Sequence, residues 1–359
     1  MNALANEIAA LIAAEGPISL ERYMTLCLQH PRYGYYMIRD PFGAGGDFTT
    51  APEISQMFGE LVGLWMTEAF TRAGRPPGAR LVELGPGRGT LMSDALRAAR
   101  VAPEFRSTLE VDLVETSPTL RELQAQTLEG AGVKLNWRTS FAEVPRAPLF
   151  IIANEFFDAL PARHFVRAGR GWRERLIGAS REGKLVFGLA PEGERALRVE
   201  APEGSIIEVN GVAQRLMTEI ASRLVADGGA LLVIDYGYTE TSLGETLQAL
   251  SRHAPVDPLA APGEADLTTH VDFAALGRAA RAGGAKTLGP VTQGAFLREI
   301  GIGRRAETLF RRASEAQRAD IVAALRRLID EGDPREVMGG LFKAMAVTHP
   351  QMPDLPGFG

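Results

Sequence analysis

The sequence predicts an α/β fold in which a mostly parallel sheet is covered by helices on both faces. From Ala79 onward, short apolar and β-branched runs alternate with segments of helical periodicity, which is typical of βαβ units. The first run leads directly into a glycine-rich turn that opens a helix, as in sheets that bind ligands beyond the carboxyl ends of their strands. A chain of 359 residues is long enough for one such domain with additions or for two domains.

The N-terminal part of the chain is predicted to be helical. The predicted elements are helices over residues 2–14, 19–29 and 53–73 and a turn-rich loop over residues 43–52. Ser19 is the expected capping residue of the second helix, and Gly74-Arg-Pro-Pro-Gly ends the third. Residues 1–75 are therefore predicted to form an N-terminal helical extension whose loop is either a lid or a solvated connector.

The alternating pattern places the elements of the sheet. Strands are predicted over residues 80–84, 109–115, 134–137, 149–154, 230–236 and 342–348, and helices over residues 94–99, 119–128, 211–226 and 271–282. Between them the pattern lapses into arginine- and glycine-rich runs that indicate hairpin strands. Residues 161–208 are therefore predicted to be an inserted antiparallel element, and residues 76–160 and 209–359 to form the parallel, Rossmann-like domain.

Composition excludes several classes of protein. The net charge of -5 argues against an extended nucleic-acid-binding face, because such a face must neutralise many phosphates. The single cysteine, Cys27, excludes an intramolecular disulfide and a thiolate-rich zinc site, and no metal site is predicted. The N-terminus lacks the pattern of a secretory signal, and no apolar run is long enough to span a bilayer. We therefore expect a soluble, cytoplasmic protein.

The strongest chemical signal is the glycine turn Glu83-Leu-Gly85-Pro-Gly87-Arg-Gly89. Glycine permits a tight turn and lets a ligand approach the main chain. The spacing is G-x-G-x-G and not the G-x-G-x-x-G of dinucleotide enzymes, and Glu83 points to a ligand that carries an amino group. Glu115 ends the next predicted strand, where a carboxylate can accept both hydroxyls of a ribose.

A second polar cluster follows the strand predicted over residues 149–154. Asn154, Glu155 and Asp158 come at or directly after its end, so they are expected in the same crevice as the glycine turn. Structural roles are the alternative, since Asp158 could cap a helix and Asn154 could stabilise a turn.

Four segments together carry a family resemblance. They are Gly46-Asp-Phe-Thr-Thr-Ala-Pro-Glu-Ile-Ser, Glu83-Leu-Gly-Pro-Gly-Arg-Gly-Thr-Leu-Met, Asn154-Glu-Phe-Phe-Asp-Ala-Leu-Pro and Asp235-Tyr-Gly-Tyr. In these segments the chain resembles the MidA-like family of S-adenosylmethionine-dependent methyltransferases. The resemblance implies a seven-stranded class I fold and S-adenosyl-L-methionine as cofactor. The mitochondrial member of the family makes symmetric dimethylarginine on a core subunit of respiratory complex I.

The resemblance also implies roles for residues of this chain. Glu83, Gly85, Gly87 and Gly89 would line the methionine end of the cofactor, Glu115 its ribose, and Asn154 the same crevice. The loop over residues 46–55 resembles a lid, with Asp47 and Thr50 as its expected polar contacts. Ser140 and Phe141 are placed at the adenine by their position after the strand predicted over residues 134–137.

On this view the acceptor is an arginine of a protein partner, possible partners including a subunit of complex I (NADH dehydrogenase). Because both the arginine and the sulfonium are cationic, carboxylates are needed beside them, and Glu155 is the first candidate and Asp158 the second. His164 or His270 could collect a proton, or serve the structure only. Segments 235–238 and 266–270 could shape the acceptor side of the crevice.

Other functions stay open at this point. A dinucleotide-dependent oxidoreductase fits the glycine spacing poorly. A methyltransferase acting on a small molecule or on RNA would share all of the cofactor-binding residues, although the acidic net charge argues against RNA as the substrate. A non-catalytic assembly protein would hold a partner without using Glu155. The sequence does not determine the oligomeric state.

Overall fold

The computed structural model describes residues 2–38, 50–251 and 254–359. Its strands are β1 (Ile18–Ser19), β2 (Arg80–Leu84), β3 (Glu110–Val114), β4 (Lys134–Arg138), β5 (Leu149–Asn154), β6 (Arg163–Ala168), β7 (Gly171–Ala179), β8 (Leu185–Glu194), β9 (Ile206–Val209), β10 (Gly229–Tyr238), β11 (Gln248–Ser251), β12 (Ala254–Pro255), β13 (Asp266–Thr268), β14 (Val271–Asp272), β15 (Lys286–Thr292) and β16 (Phe342–Thr348).

The α-helices occupy most of the intervening chain. They are α1 (Ala3–Glu15), α2 (Leu20–Gln29), α3 (Tyr35–Ile38), α4 (Ala51–Ile54), α5 (Gln56–Arg72), α6 (Thr90–Ala98), α7 (Pro103–Thr108), α8 (Pro118–Thr127), α9 (Gly211–Asp227), α10 (Phe273–Ala282), α11 (Gln293–Glu299), α12 (Ile302–Phe310) and α13 (Glu315–Ile329). The chain forms two compact units. One consists of Met1–Phe48, Asp158–Arg215 and Thr241–His270, and the other of Thr49–Phe157, Leu216–Glu240 and Val271–Gly359.

The second unit is built on a mixed sheet whose main path runs β15-β16-β10-β5-β2-β3-β4. The strands from β10 to β4 are parallel, and β16 lies antiparallel between β15 and β10. The carboxyl ends of β2, β3, β4, β5 and β10 therefore share one edge. Parallel strands need cover on both faces, and β5 is accordingly buried along its whole length.

A buried carboxylate connects β3 to the strands on either side of it. Asp112 of β3 is fully buried, and its carboxylate accepts hydrogen bonds from Nε of Arg80 on β2 at 2.6 Å and Nε of Arg138 on β4 at 2.9 Å. A buried carboxylate needs such partners to offset its desolvation. These contacts tie three neighbouring strands together.

In the first unit, all strand pairings among the described residues are antiparallel. One sheet has the order β1-β7-β6-β9 with β8 paired to β7, and a smaller sheet has the order β12-β11-β13. Its core includes Tyr23, Tyr35 and the free thiol of Cys27, all fully buried. The hairpin strands predicted within residues 161–208 are confirmed as β6, β7 and β8. The predicted division into domains 1–75, 161–208 and the Rossmann-like remainder stays a prediction.

The predicted bounds of the parallel strands agree with the structure to within two residues, but other elements differ; the helix predicted over residues 94–99, for example, begins earlier, at Thr90. The helix expected over residues 53–73 is two helices, because Ser55 turns the chain and its Oγ accepts from the amide of Met57 to start α5. Residues 271–272 form β14 before the expected helix begins. Strand β15 was not expected, because Gly289-Pro290 lies inside it and such a dipeptide usually indicates a turn.

Among the described residues, the mixed sheet of the second unit has eight strands and not the expected seven. Seven strands form the main path, and β14 pairs with β10 beside it. In the same parts of the chain, no helix is both long and apolar enough to cross a membrane.

Candidate functional site

The glycine turn joins β2 to α6 at the shared carboxyl edge of the sheet. Gly85, Gly87 and Gly89 all have positive φ values, of 62°, 52° and 84°, which disfavour residues with a side chain. The amide of Gly85 donates to the carbonyl of Val114 at the end of β3. A Cβ atom on Gly85 would lie 2.9 Å from Cδ2 of Phe156. The turn is thus packed directly against the segment that follows β5.

Glu83 lies one residue before the end of β2 and is 3% exposed. No described residue hydrogen-bonds its Oε2 atom, and burial raises the pKa of the carboxyl to about 8. A buried carboxyl oxygen without a partner is unfavourable by itself. It fits a ligand that brings a positively charged donor, such as an ammonium group, to this position.

Glu115 follows the last residue of β3 and is 8% exposed. Its Oε1 accepts from the amide of Ser117 at 2.8 Å, and its Oε2 accepts from Nε2 of Gln124 at 3.3 Å. Burial raises the pKa of Glu115, while the bonds from Ser117 and Gln124 lower it. The carboxylate is therefore held in one orientation at the sheet edge.

The segment after β5 has a constrained backbone. Glu155 has a φ of 50°, which is uncommon outside glycine and is maintained by surrounding contacts. Its amide donates to the carbonyl of Ile234 at 2.9 Å. Its Oε1 accepts from the amide of Ala51 and from Nδ2 of Asn154, both at 3.0 Å. The end of β5 and the start of α4 thus meet at this carboxylate.

Asp235 of β10 binds the main chain of the same segment. It is fully buried, and its Oδ2 accepts from the amides of Phe156 at 3.2 Å and Phe157 at 2.9 Å. Its Oδ1 accepts from the amide of Tyr236 at 2.9 Å. Sequence reasoning expected segment 235–238 to shape an acceptor crevice, and the structure shows Asp235 holding the main chain of the turn that carries Glu155.

Residues of α4 reach the glycine turn from the other side. Thr50 occupies the N-cap position of α4 without a side-chain capping bond. Glu53 accepts from Oγ1 of Thr90, the first residue of α6, at 2.5 Å. Asp47 lies outside the described residues. Glu53 is therefore a residue at this edge that sequence reasoning missed, although the motif around it was recognised.

The predicted adenine residues lie after β4, also at the carboxyl edge. Ser140 is exposed, and Phe141 is buried with the guanidinium of Arg223 4.8 Å from its ring centre. Nη1 of Arg223 donates to the carbonyl of Phe141 at 3.3 Å. Their position agrees with the expected one, and contact with adenine stays a prediction.

Three predicted residues belong to the other compact unit. Asp158 is 6% exposed, and its carbonyl accepts from the amide of Thr269. His164 is fully buried with Nε2 2.9 Å from Oε1 of Glu208, and the amide of His270 donates to Oγ1 of Thr246. It stays a prediction that Asp158 and Glu155 both contact the same acceptor arginine. Both histidines are engaged in local contacts within their own unit.

Gln124 was also missed by sequence reasoning. It is a fully buried amide on α8 that bonds Glu115, the carbonyl of Gly87 and Trp137. The available signal was its spacing of four residues from Leu120, which placed a polar side chain on the buried face of the helix. Among the described residues, no group of three or more His, Cys, Asp or Glu side chains is arranged to hold a metal ion.

These features together define a class of enzymes: a parallel sheet with this glycine turn, a buried carboxyl on the first strand whose Oε2 has no partner among the described residues, and an oriented carboxylate after the second strand. That class is the α/β methyltransferases, which use S-adenosylmethionine. A family model described as S-adenosyl-L-methionine-dependent methyltransferase matches residues 61–291. The chain belongs to the MidA-like family of these methyltransferases, and its cofactor is S-adenosylmethionine.

Known proteins resemble the chain over most of its length. The mitochondrial protein arginine methyltransferase NDUFAF7 of Danio rerio is 38% identical, over 95% of this chain and 86% of the relative. That of Homo sapiens is 38% identical, over 85% of this chain and 74% of the relative. A Burkholderia thailandensis protein, solved bound to S-adenosyl-homocysteine, is 29% identical with a TM-score of 0.86, covering 98% of this chain and 93% of that one.

Proposed function

We propose that this chain methylates arginine side chains of a protein partner. The observation that carries the proposal is the placement of Glu155, one strand away from the glycine turn at the carboxyl edge of the sheet. Relatives that are 38% identical and named protein arginine methyltransferases support the same class of acceptor. The family membership and the cofactor do not depend on this proposal.

Charge is the reason for a carboxylate at this place. When bound, S-adenosylmethionine supplies a methyl group attached to a positively charged sulfur. A guanidinium stays cationic at all working pH values, so the acceptor and the donor repel each other. Glu155 offsets that repulsion, and the bonds from Ala51 and Asn154 keep its carboxylate in place. Asp158 is proposed as a second carboxylate for the acceptor.

The remaining site residues bind and orient the cofactor in this proposal. Glu83 faces the amino group, and Gly85, Gly87 and Gly89 allow close approach of the main chain. Glu115 accepts the ribose hydroxyls, with Ser140 and Phe141 beside the adenine and Asn154 in the same crevice. Thr50, at the start of α4, is proposed as a polar contact of the cofactor, and Asp47, outside the described residues, stays a prediction. Alignment of the reacting groups and exclusion of water then account for most of the rate.

The finer parts of the proposal come from the family resemblance. They are symmetric dimethylation of the arginine and a subunit of respiratory complex I as the partner. Each is separable from the choice of arginine as the acceptor.

The test is transfer of an isotope-labelled methyl group from S-adenosylmethionine to purified complex I from the source cells. Peptide mass spectrometry should find label on arginine, and fragmentation should distinguish symmetric from asymmetric dimethylation. Label on lysine, on a carboxylate or only in the small-molecule fraction would contradict the proposal. The last result would favour a small-molecule methyltransferase.

Glu155→Gln tests the role of the carboxylate. The amide keeps the size of the side chain but cannot offset the two positive charges, so we expect kcat to fall by about 100-fold. Affinity for S-adenosylhomocysteine, measured by calorimetric titration, should change little. Glu122→Gln, which alters an exposed carboxylate on α8, is the matched control. Equal loss of transfer and of cofactor binding in Glu155→Gln would mean that Glu155 serves the fold.

A further inference from the structure

Gln124 is a polar residue in a place where apolar residues are the rule. It lies on the inner face of α8 with no exposed surface. A buried amide is unfavourable unless its hydrogen-bonding groups find partners. The partners that Gln124 finds all belong to the cofactor edge of the sheet or to the strand beside it.

Three hydrogen bonds engage both ends of the amide. Nε2 donates to the carbonyl of Gly87 at 2.8 Å and to Oε2 of Glu115 at 3.3 Å, while Oε1 accepts from Nε1 of Trp137 at 2.9 Å. The main chain of Gln124 also packs on the turn, since a Cβ on Gly89 would lie 3.5 Å from its Cα. One side chain thus contacts both the glycine turn and the carboxylate after β3.

The orientation of this amide is determined by chemistry. The indole nitrogen of Trp137 can only donate, so it requires the oxygen of the amide. The two hydrogens of Nε2 then face a carbonyl and a carboxylate, which can only accept. A rotated amide would place its oxygen against the Glu115 carboxylate and its nitrogen against the indole N–H. Trp137 therefore locks the donors of Gln124 toward the site.

The carboxylate that receives this bond is held on both oxygens. Oε1 of Glu115 accepts from the amide of Ser117 at 2.8 Å, and Oε2 accepts from Gln124. With both oxygens oriented by fixed donors, the remaining lone pairs of the carboxylate have defined directions. A hydroxyl pair of fixed geometry is recognised best by an acceptor that does not have to reorganise.

We propose that Gln124 is a positioning residue, which holds Glu115 in register with the glycine turn and thereby sets the selectivity of the site for an intact ribose. The inference rests on the proposed contact between Glu115 and the ribose hydroxyls. In this proposal Gln124, on α8, makes no contact with the reacting atoms and acts through Glu115 and Gly87.

The test compares two ligands on three variants. The ligands are S-adenosylhomocysteine and an analogue whose ribose lacks both hydroxyl groups, and the measurement is calorimetric titration. In Gln124→Leu the affinity for S-adenosylhomocysteine should fall by about tenfold or more, as for loss of a bond to a charged group, with a much smaller change for the analogue. Trp137→Phe should also reduce the preference for S-adenosylhomocysteine over the analogue, but by a smaller factor. Gln126→Leu, on the exposed face of α8, should leave it unchanged.

Each result has a distinct meaning. Equal loss of affinity for both ligands in Gln124→Leu would overturn the inference, because the residue would then support only the turn or the fold. Thermal unfolding of the ligand-free variants identifies a loss of fold. Equal affinity of the unaltered protein for both ligands would overturn the ribose role of Glu115 and this inference with it. That result would leave the labelled-methyl assay on arginine untouched.

Discussion

At the scale of single residues, the site depends on backbone conformations that most side chains avoid. Gly85 has positive φ and lies against the ring of Phe156, and Glu155 adopts positive φ although it is not glycine. At Glu155 such strain costs on the order of 1 kcal/mol and is maintained by the contacts around it, whereas glycine adopts positive φ without it. For Glu155 those contacts come from Ala51, Asn154 and Ile234.

Gly85→Ala tests the glycine turn. The new Cβ would meet Phe156 at 2.9 Å in a left-handed conformation, so we expect a loss of about 2 kcal/mol in the free energy of unfolding. Affinity for S-adenosylhomocysteine should fall by about tenfold or more, since the turn must shift.

Gly130→Ala is the matched control for this change. Gly130 also has positive φ, of 73°, but a Cβ there meets nothing within 4 Å. Urea unfolding should show a loss of about 1 kcal/mol with unchanged ligand affinity. If the two variants bound the ligand equally well, the packing of the turn on Phe156 would be irrelevant to binding.

At the scale of elements, the sheet order decides which side chains meet. Strands β2, β3 and β5 are adjacent and parallel, so the glycine turn, Glu115 and Asn154 reach one edge from separate parts of the chain. The buried carboxylate of Asp112 contributes to that order by bonding Arg80 and Arg138 on the two flanking strands.

Asp112→Asn tests this link between strands. The amide removes the fully buried counter-charge shared by two partly buried guanidinium groups, of which Arg80 keeps only the more exposed Glu110. We therefore expect a loss of about 3 kcal/mol or more in the free energy of unfolding. Glu110→Gln is the control, because Glu110 also bonds Arg80 but its side chain is 37% exposed. Urea unfolding should show a much smaller effect there. Equal losses in the two variants would argue against the buried carboxylate as the stronger link.

At the scale of the whole molecule, most residues predicted for the site belong to one compact unit. Thr50, Glu83, Glu115, Asn154 and Glu155 all belong to it, whereas Asp158 belongs to the other. In the former unit the carboxyl of Glu83 is buried, and no described residue hydrogen-bonds its Oε2 atom.

Glu83 predicts a pH dependence of stability in the ligand-free protein. Burial raises its pKa from 4.5 to about 8. Between these pH values the folded protein holds a proton that the unfolded chain has released, so the free energy of unfolding decreases as pH rises. The contribution is at most about 5 kcal/mol. Urea unfolding across this range should show a flatter pH profile in Glu83→Gln, and parallel profiles would contradict the prediction.

The sequence by itself determined the fold class, the central strands and the glycine turn, because these depend on local periodicity and on the backbone freedom of glycine. It also placed Glu83, Glu115, Asn154 and Glu155 at strand ends, where the topology of parallel sheets brings such residues together.

Only the tertiary structure decided which side chains position the site. Gln124 bonds Gly87, which is 37 positions away in the sequence, and Glu115, which is 9 positions away. Asp235 bonds Phe156, in the turn that carries Glu155, from 79 positions away. Strand β15 needed the pairing with β16 to form despite Gly289-Pro290. Hydrogen bonds between distant segments leave no periodic trace in a sequence, since they depend on the three-dimensional register of elements and not on local propensity.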